Sequence, residues 1–190
     1  MDSTFFLIIC WYLWCIQTFF AKKNTFRTTS VMMILTFIIL YPFQWSFSFG
    51  DVRPAFLFLF FIGCYYLTSM PFSTRWKIVV ITIGMAFLYA SFRMALWYEP
   101  VVFLFGKVET LLACFYLLFL MIMRPIINRT VCALLSFCLG EMMYHYHLYP
   151  WTEGVIIGET FFFHFFILFF FMIYIEFILS HKWFKMMKRA

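Results

Sequence analysis

The sequence predicts an all-helical integral membrane protein, and three observations support that fold class. Hydrophobic residues make up 66% of the 190 residues, aromatic residues 26% and charged residues 12%, against about 45–50% apolar and about 25% charged in soluble globular domains. The apolar residues form long runs separated by short basic clusters. These runs lack the two-residue alternation of membrane β-barrel strands. A cytosolic enzyme, a disordered regulator and a soluble nucleic-acid binder are therefore excluded.

Seven segments have the length and composition of membrane helices, which need about 20 mostly apolar residues. The loops between them are short, so we expect a single transmembrane domain over residues 1–190. Asp2 precedes the first segment and Lys22 and Lys23 follow it, which is the reverse of a cleavable signal peptide. The predicted helices are Thr4–Ala21, Val31–Phe49, Pro54–Phe72, Ile78–Tyr98, Pro100–Met123, Thr130–Tyr149 and Val155–Leu179.

Prolines mark several of these boundaries. Pro54 and Pro100 suit the first turn of a helix, where the missing N–H costs little. Pro42 lies inside the second segment and predicts a kink there. The fifth helix has an alternative start near Lys107, which would leave residues 101–106 as a re-entrant or interfacial stretch.

The basic residues predict an orientation with the N-terminus outside and the C-terminus in the cytoplasm. In this orientation all but three of the 14 Lys and Arg residues lie on the cytoplasmic face, as the positive-inside rule requires. The basic tail, residues 181–189, is expected to contact anionic lipids at the cytoplasmic face of the bilayer. The three exceptions are Arg53, Arg93 and Lys107.

Ionisable side chains at membrane depth mark the candidate functional positions, because they are costly there and usually face the bundle interior. All except Glu176 fall in the outer half of the predicted helices or near the midplane. These residues are Arg93, Lys107, Glu109, Glu141, His145, Glu159, His164 and Glu176.

The sharpest expectation is a pair of acid–histidine layers across the hairpin of the sixth and seventh helices. A rise of 1.5 Å per residue puts Glu141 and His164 about 12–13 Å below the outer ends, and His145 and Glu159 about 6 Å below. Glu141 and His145 are four residues apart and share a helix face. A turn through residues 150–154 makes these helices antiparallel neighbours. Small residues four apart indicate close packing, at Ser136–Gly140 and Gly154–Gly158.

A second pair is expected between the fourth and fifth helices, where the long Arg93 side chain can reach Glu109. Lys107 lies nearer the surface and is expected to snorkel outward.

The six cysteines lie inside apolar runs without a CxxC pair, so neither a disulfide framework nor a zinc ribbon is expected. The run EMMYHYH is not HExxH. A metal bound by Glu141 and His145 would need a further ligand from the seventh helix, and no metal or cofactor is assigned.

The segment WYLWCIQTFFAKKNTFRTT, residues 11–29, combines an aromatic helix with a basic loop. With the other short-looped helices and the basic end, this pattern resembles the YphA-like small polytopic membrane proteins of Bacillus-type bacteria over most of the chain. The resemblance implies a bacterial cytoplasmic membrane. That family is functionally uncharacterised, so the resemblance carries over no functional residue.

Three functions are compatible with the sequence. The leading hypothesis is a small proton- or cation-linked transporter-like protein with an outward-side polar pocket, in which glutamates exchange protons and histidines relay them. The alternatives are an intramembrane enzyme acting on a lipid-linked substrate at the outer leaflet, and a non-catalytic subunit of a membrane complex. A homo-oligomer or a membrane-protein partner is compatible with each, whereas nucleic acid is not an expected partner. The candidate pocket residues are Arg93, Glu109, Glu141, His145, Glu159 and His164.

Overall fold

The computed structural model describes residues 3–19, 23, 25–47, 50–98, 106–149 and 156–187, which contain seven helices and three short strands. The helices coincide broadly with the seven predicted segments. The elements are α1 (Ser3–Phe19), α2 (Thr25–Leu40), β1 (Trp45–Phe47), β2 (Gly50–Val52), α3 (Pro54–Thr68), α4 (Phe72–Tyr98), α5 (Lys107–Ile122), α6 (Ile126–Leu148), β3 (Ile156–Ile157) and α7 (Thr160–Met187).

The parallel pair α4 and α6 forms the most extensive helix contact. Thr82 of α4 contacts Cys132 of α6 near one end of the pair, and Tyr89 reaches Glu141 further along. Gly140 permits this close approach, because a Cβ there would lie 2.7 Å from Cδ1 of Tyr89. The small residue at this position therefore brings α6 against α4, rather than against α7 as the hairpin argument predicts.

Three helices begin at or directly after a proline. Pro54 occupies the first turn of α3, as predicted, since a proline costs little where the N–H has no partner inside the helix. Pro71 and Pro125 directly precede α4 and α6, and their carbonyls accept the first helical hydrogen bonds. Both helices therefore begin several residues before the predicted starts at Ile78 and Thr130, and both include residues expected in basic loops.

Pro42 ends the second helix instead of kinking it. The helix stops at Leu40, and Tyr41 and Pro42 form a turn. A residue before proline is driven out of the α region and proline itself donates no hydrogen bond, so the predicted continuation to Phe49 is wrong.

A small three-stranded sheet replaces that continuation. β1 pairs antiparallel with β2, and β2 pairs parallel with β3, with Asp51 opposite Ile156. The pairing satisfies backbone groups that an irregular chain would leave exposed. The chain is therefore mostly helical and not wholly so, and the sheet marks one end of the bundle, called here the sheet end.

The last differences concern α5 and α7. α5 begins at Lys107, after Gly106 at φ 107°, which agrees with the alternative start. Residues 99–105 lie outside the described part of the chain. The predicted turn at residues 150–154 also lies outside it. α7 begins at Thr160 rather than Val155 and its backbone stays helical to Met187. The side chains of the predicted lipid-binding tail lie outside the described residues.

Aromatic side chains fill much of the core. The Phe137 ring of α6 lies 4.8 Å, centroid to centroid, from both Phe165 and Phe169 of α7. Within the described residues, three helices are long and apolar enough to cross a membrane, over Phe72–Leu96, Ile126–Leu148 and Thr160–Phe177. The shorter apolar helices α1, α2 and α3 pack around them.

Candidate functional site: a buried charged cluster

Glu141 of α6 carries a carboxylate that is completely buried. The Tyr89 hydroxyl donates to its Oε2 at 3.1 Å, and Arg93 Nη2 donates to its Oε1 at 3.4 Å. Nε2 of His145, one turn further along α6, lies 3.1 Å from the same Oε1. A buried charge is tolerated only when it is paired and hydrogen-bonded, so these three side chains stabilise the carboxylate inside the bundle.

Arg93 joins this carboxylate to a second one. Its Nη2 also lies 3.1 Å from Oε2 of Glu159. The guanidinium carbon lies 4.4 Å from the Tyr144 ring centroid and 4.2 Å from the Phe161 ring centroid, which adds cation–π attraction and restricts its movement. Arg93, Glu141, His145 and Glu159 form the charged cluster.

Glu159 gives the charged cluster its access to the surface. It lies directly before α7 rather than inside it, and its carbonyl accepts a hydrogen bond from Phe163 at the start of that helix. Gly158, at φ 80°, precedes it, a conformation that favours glycine. The Glu159 side chain is 42% exposed, whereas Arg93 and Glu141 are buried.

His145 is buried and also borders a groove between α4 and α6. The groove has a volume of about 970 Å³ and is mainly apolar, with Phe87, Met94 and Met143 among its lining residues. His147 lines the same groove but is exposed. Nε2 of His145 therefore belongs to the charged cluster, and the side chain also borders an opening toward the bundle surface.

The structure brings together four of the six candidate pocket residues. Glu109 is exposed in the first turn of α5, and no ion pair links it to Arg93 among the described residues. The predicted Arg93–Glu109 pair is therefore wrong. His164 is buried on α7. Lys107 is exposed at the start of α5, as expected of a residue near the surface.

The predicted acid–histidine layers between the sixth and seventh helices are replaced by contacts that include α4. Glu141 pairs with His145 along α6, and Arg93 of α4 bridges Glu141 to Glu159. The prediction paired neighbours in sequence and so omitted α4, which is separated from α6 by α5. Tyr89 was also missed, because a tyrosine in an aromatic-rich helix gives no signal of its hydrogen bond.

A second polar group at the opposite end was missed for a similar reason. Arg129 was expected in a cytoplasmic loop, but it is buried in α6 and forms an ion pair with Glu176 of α7. The Tyr116 hydroxyl of α5 donates to the same carboxylate at 3.1 Å. This group connects α5, α6 and α7, and Glu176 is therefore not part of the charged cluster.

The charged cluster combines two carboxylates with one guanidinium and one imidazole. With a neutral imidazole the formal charges, one positive and two negative, leave one negative charge; a proton on His145 makes the sum zero. The arrangement can therefore bind one proton or attract one cation. Within the part of the chain that the structure describes, no group of three or more His, Cys, Asp or Glu side chains is placed to hold a metal ion.

The similarities to known proteins cover nearly the whole chain. No solved structure matches it. The chain is 24% identical over 158 residues to the uncharacterised protein YphA of Bacillus subtilis (strain 168), an alignment that covers 83% of this chain and 78% of that protein. A model of the YphA-like integral membrane proteins matches residues 2–189. The resemblance seen in the sequence is thereby confirmed, and the chain belongs to the YphA-like integral membrane protein family.

Proposed function

We propose that this integral membrane protein is a small proton- or cation-linked transporter-like protein, with the charged cluster as its coupling site. The observation that carries the proposal is the buried Glu141 carboxylate, held in a group where two carboxylates share one guanidinium. A group of this composition carries two formal negative charges and one positive charge, so it attracts one further proton or cation.

The surroundings of the charged cluster support exchange with the outside. Glu159 is partly exposed and connects through Arg93 to the buried Glu141. His145 connects the same carboxylate to the groove. A proton or cation arriving at Glu159 and a ligand arriving in the groove would both change the charge around Glu141, which is the minimum requirement for coupling two binding events.

The test is pH-driven flux in proteoliposomes that contain an internal pH-sensitive dye. E141Q removes the buried charge with almost no change in shape, so we expect flux to fall to the level of empty liposomes. E109Q is the matched control, because Glu109 is an exposed glutamate in the first turn of α5 that belongs to neither the charged cluster nor the groove and should leave flux unchanged. Wild-type flux in folded E141Q, or no flux above empty liposomes in wild type, would contradict the proposal.

The groove beside His145 supports one alternative function, that of an intramembrane enzyme acting on a lipid-linked substrate. The apolar lining of the groove suits an acyl or prenyl chain, and His145 or Glu141 would serve as the base. Turnover of a lipid-linked substrate by purified protein, lost in folded H145A and retained in E109Q, would support the enzyme. Flux without turnover would support the transporter.

We further propose that all seven helices cross a bacterial cell membrane with the N-terminus outside. The contacts of Arg93 support this topology, because they join the end of α4 to the end of α6 and the start of α7 at the sheet end. Helices that alternate in direction would place these three positions on the same side of the membrane. The other end carries the basic residues expected in the cytoplasm, an arrangement typical of the positive-inside rule. Those described at that end are Lys23, Arg27, Arg75, Lys77, Arg124 and Arg129.

A further inference from the structure

Arg53 differs from the two buried arginines because it has no acidic partner among the described residues. Arg93 and Arg129 each pair with glutamate. Arg53 instead lies between β2 and α3, with its guanidinium carbon 5.2 Å from the Tyr41 ring centroid and 6.0 Å from the Phe163 ring centroid. Within the described part of the chain, its positive charge therefore contacts aromatic faces and no carboxylate.

Several donors at this position also lack partners. Nε and Nη1 of Arg53 are both buried and make no hydrogen bond, and the same is true of the Tyr41 hydroxyl. Tyr41 as a whole is only 4% exposed. Leaving such groups unsatisfied is unfavourable, and more so for a charged group than for a neutral one. Three unsatisfied groups on two contacting side chains therefore point to a missing acceptor.

The chemistry of the donors specifies that acceptor. A guanidinium presents a rigid set of N–H donors that suits the several oxygens of a phosphate group, and its binding is strengthened by charge. The tyrosine hydroxyl adds a neutral donor. Asp51, two residues before Arg53, makes no ion pair with it in the described structure, so the positive charge stays available to an anion.

The location indicates which phosphate is within reach. Trp45 pairs with Val52 across the sheet, one residue from Arg53, and the Trp45 side chain is exposed. Tryptophan prefers the level of the lipid headgroups. The sheet end would therefore place Arg53 and Tyr41 close to the phosphates of the surrounding lipid.

We propose that Arg53 and Tyr41 form an oxyanion-binding site at the sheet end that takes the phosphate group of a phospholipid. The site is independent of the charged cluster and of the transport proposal, because it uses different residues and has its own binding readout.

The experiment measures binding to purified full-length protein in detergent. One arm uses dioleoyl phosphatidylglycerol and its phosphate-free counterpart dioleoylglycerol, with bound lipid counted by native mass spectrometry. The other arm uses inorganic phosphate against chloride at matched ionic strength, read as thermal stabilisation. We expect phosphatidylglycerol to bind and dioleoylglycerol not to bind. Stabilisation by inorganic phosphate without lipid binding would overturn the lipid assignment.

The variants link that binding to the named side chains. R53Q should weaken lipid binding at least about tenfold, as expected for lost hydrogen bonds to a charged group. Y41F, which removes only the hydroxyl, should weaken it about three- to tenfold and remains informative if R53Q does not fold. K107Q removes the same charge from an exposed residue of another helix and should bind normally. Wild-type binding by R53Q or Y41F, or equal losses in R53Q and K107Q, would overturn the site.

Discussion

At the scale of single residues, the position of the Glu141 carboxylate depends on donors from two helices. His145 comes from the same helix, whereas Tyr89 and Arg93 come from α4. Because the carboxylate is completely buried, water cannot replace a lost donor without a rearrangement of the bundle. Each donor should therefore contribute more to stability than an equivalent contact at the surface.

Tyr89 allows the simplest test of that statement. Y89F removes one hydrogen bond to a charged group and keeps the ring, so it should lower the free energy of unfolding by about 1.5–3 kcal/mol. Equilibrium unfolding in mixed micelles measures the loss. Y65F is the control, because the Tyr65 ring is 67% exposed and its hydroxyl should contribute little. Equal effects of the two substitutions would mean that Tyr89 does not stabilise Glu141.

The sequence predicts some of the contacts of Glu141 but not all of them. The spacing of Glu141 and His145 follows from helix geometry alone, so their contact could be predicted. The Arg93 contact could not, because a long arginine near the end of α4 has several acids within reach and only the packing of α4 on α6 selects among them. Arg129 was misassigned because a basic residue near a predicted loop has the same pattern whether it is buried or exposed.

At the scale of elements, the close contact of α4 and α6 depends on Gly140. A Cβ at this position would lie 2.8 Å from the Ala86 carbonyl oxygen as well as against the Tyr89 ring. G140A should therefore force the helices apart and cost about 1–3 kcal/mol, the usual penalty for overpacking. It should also weaken the hydrogen bond from Tyr89 to Glu141.

Gly84 supplies the matched control for this prediction. It lies in α4, and a Cβ there would meet no other helix within 4 Å. G84A should therefore be neutral or stabilise by up to about 1 kcal/mol through helix propensity. Thermal unfolding of both variants makes the comparison, and a G140A protein as stable as G84A would contradict the close packing of α4 on α6.

Helix boundaries show why element prediction succeeded for some segments and failed for others. Apolar runs located all seven helices, because long runs dominate any local signal. The second segment exceeded its helix because Tyr41 to Phe49 remains largely apolar after Pro42 ends the helix. Composition cannot distinguish such a stretch from a kinked helix. The pairing of β2 with β3 joins residues about 105 positions apart, which no local pattern predicts.

At the scale of the whole molecule, the helices differ in length. α3 has 15 residues and rises about 22 Å, less than the roughly 30 Å hydrocarbon core. β1 and β2 follow α2 and precede α3, and their backbone groups pair with each other and with β3. Seven crossings are thus compatible with seven helices of unequal length.

Reporter fusions test the orientation proposed for these crossings. Alkaline phosphatase fused after Phe47 should be active, because the sheet end is predicted to lie outside. The same enzyme fused after Lys23 should be inactive, and a fluorescent protein fused after that residue should fluoresce in the cytoplasm. The reverse pattern would place the N-terminus inside, and activity at both positions would contradict the alternating topology.

The central claim is that the charged cluster holds one uncompensated negative charge that a proton or cation neutralises. E159Q tests this most directly, since it removes one of the two carboxylate charges, keeps an oxygen able to accept from Arg93, and leaves the buried Glu141–Arg93 pair in place. The measurement is the charge displaced by a pH jump across proteoliposomes on a solid-supported membrane. We predict that folded E159Q falls to the signal of empty liposomes while E109Q, which removes the same charge from an exposed residue of α5, matches wild type. A full wild-type signal from E159Q would contradict the claim.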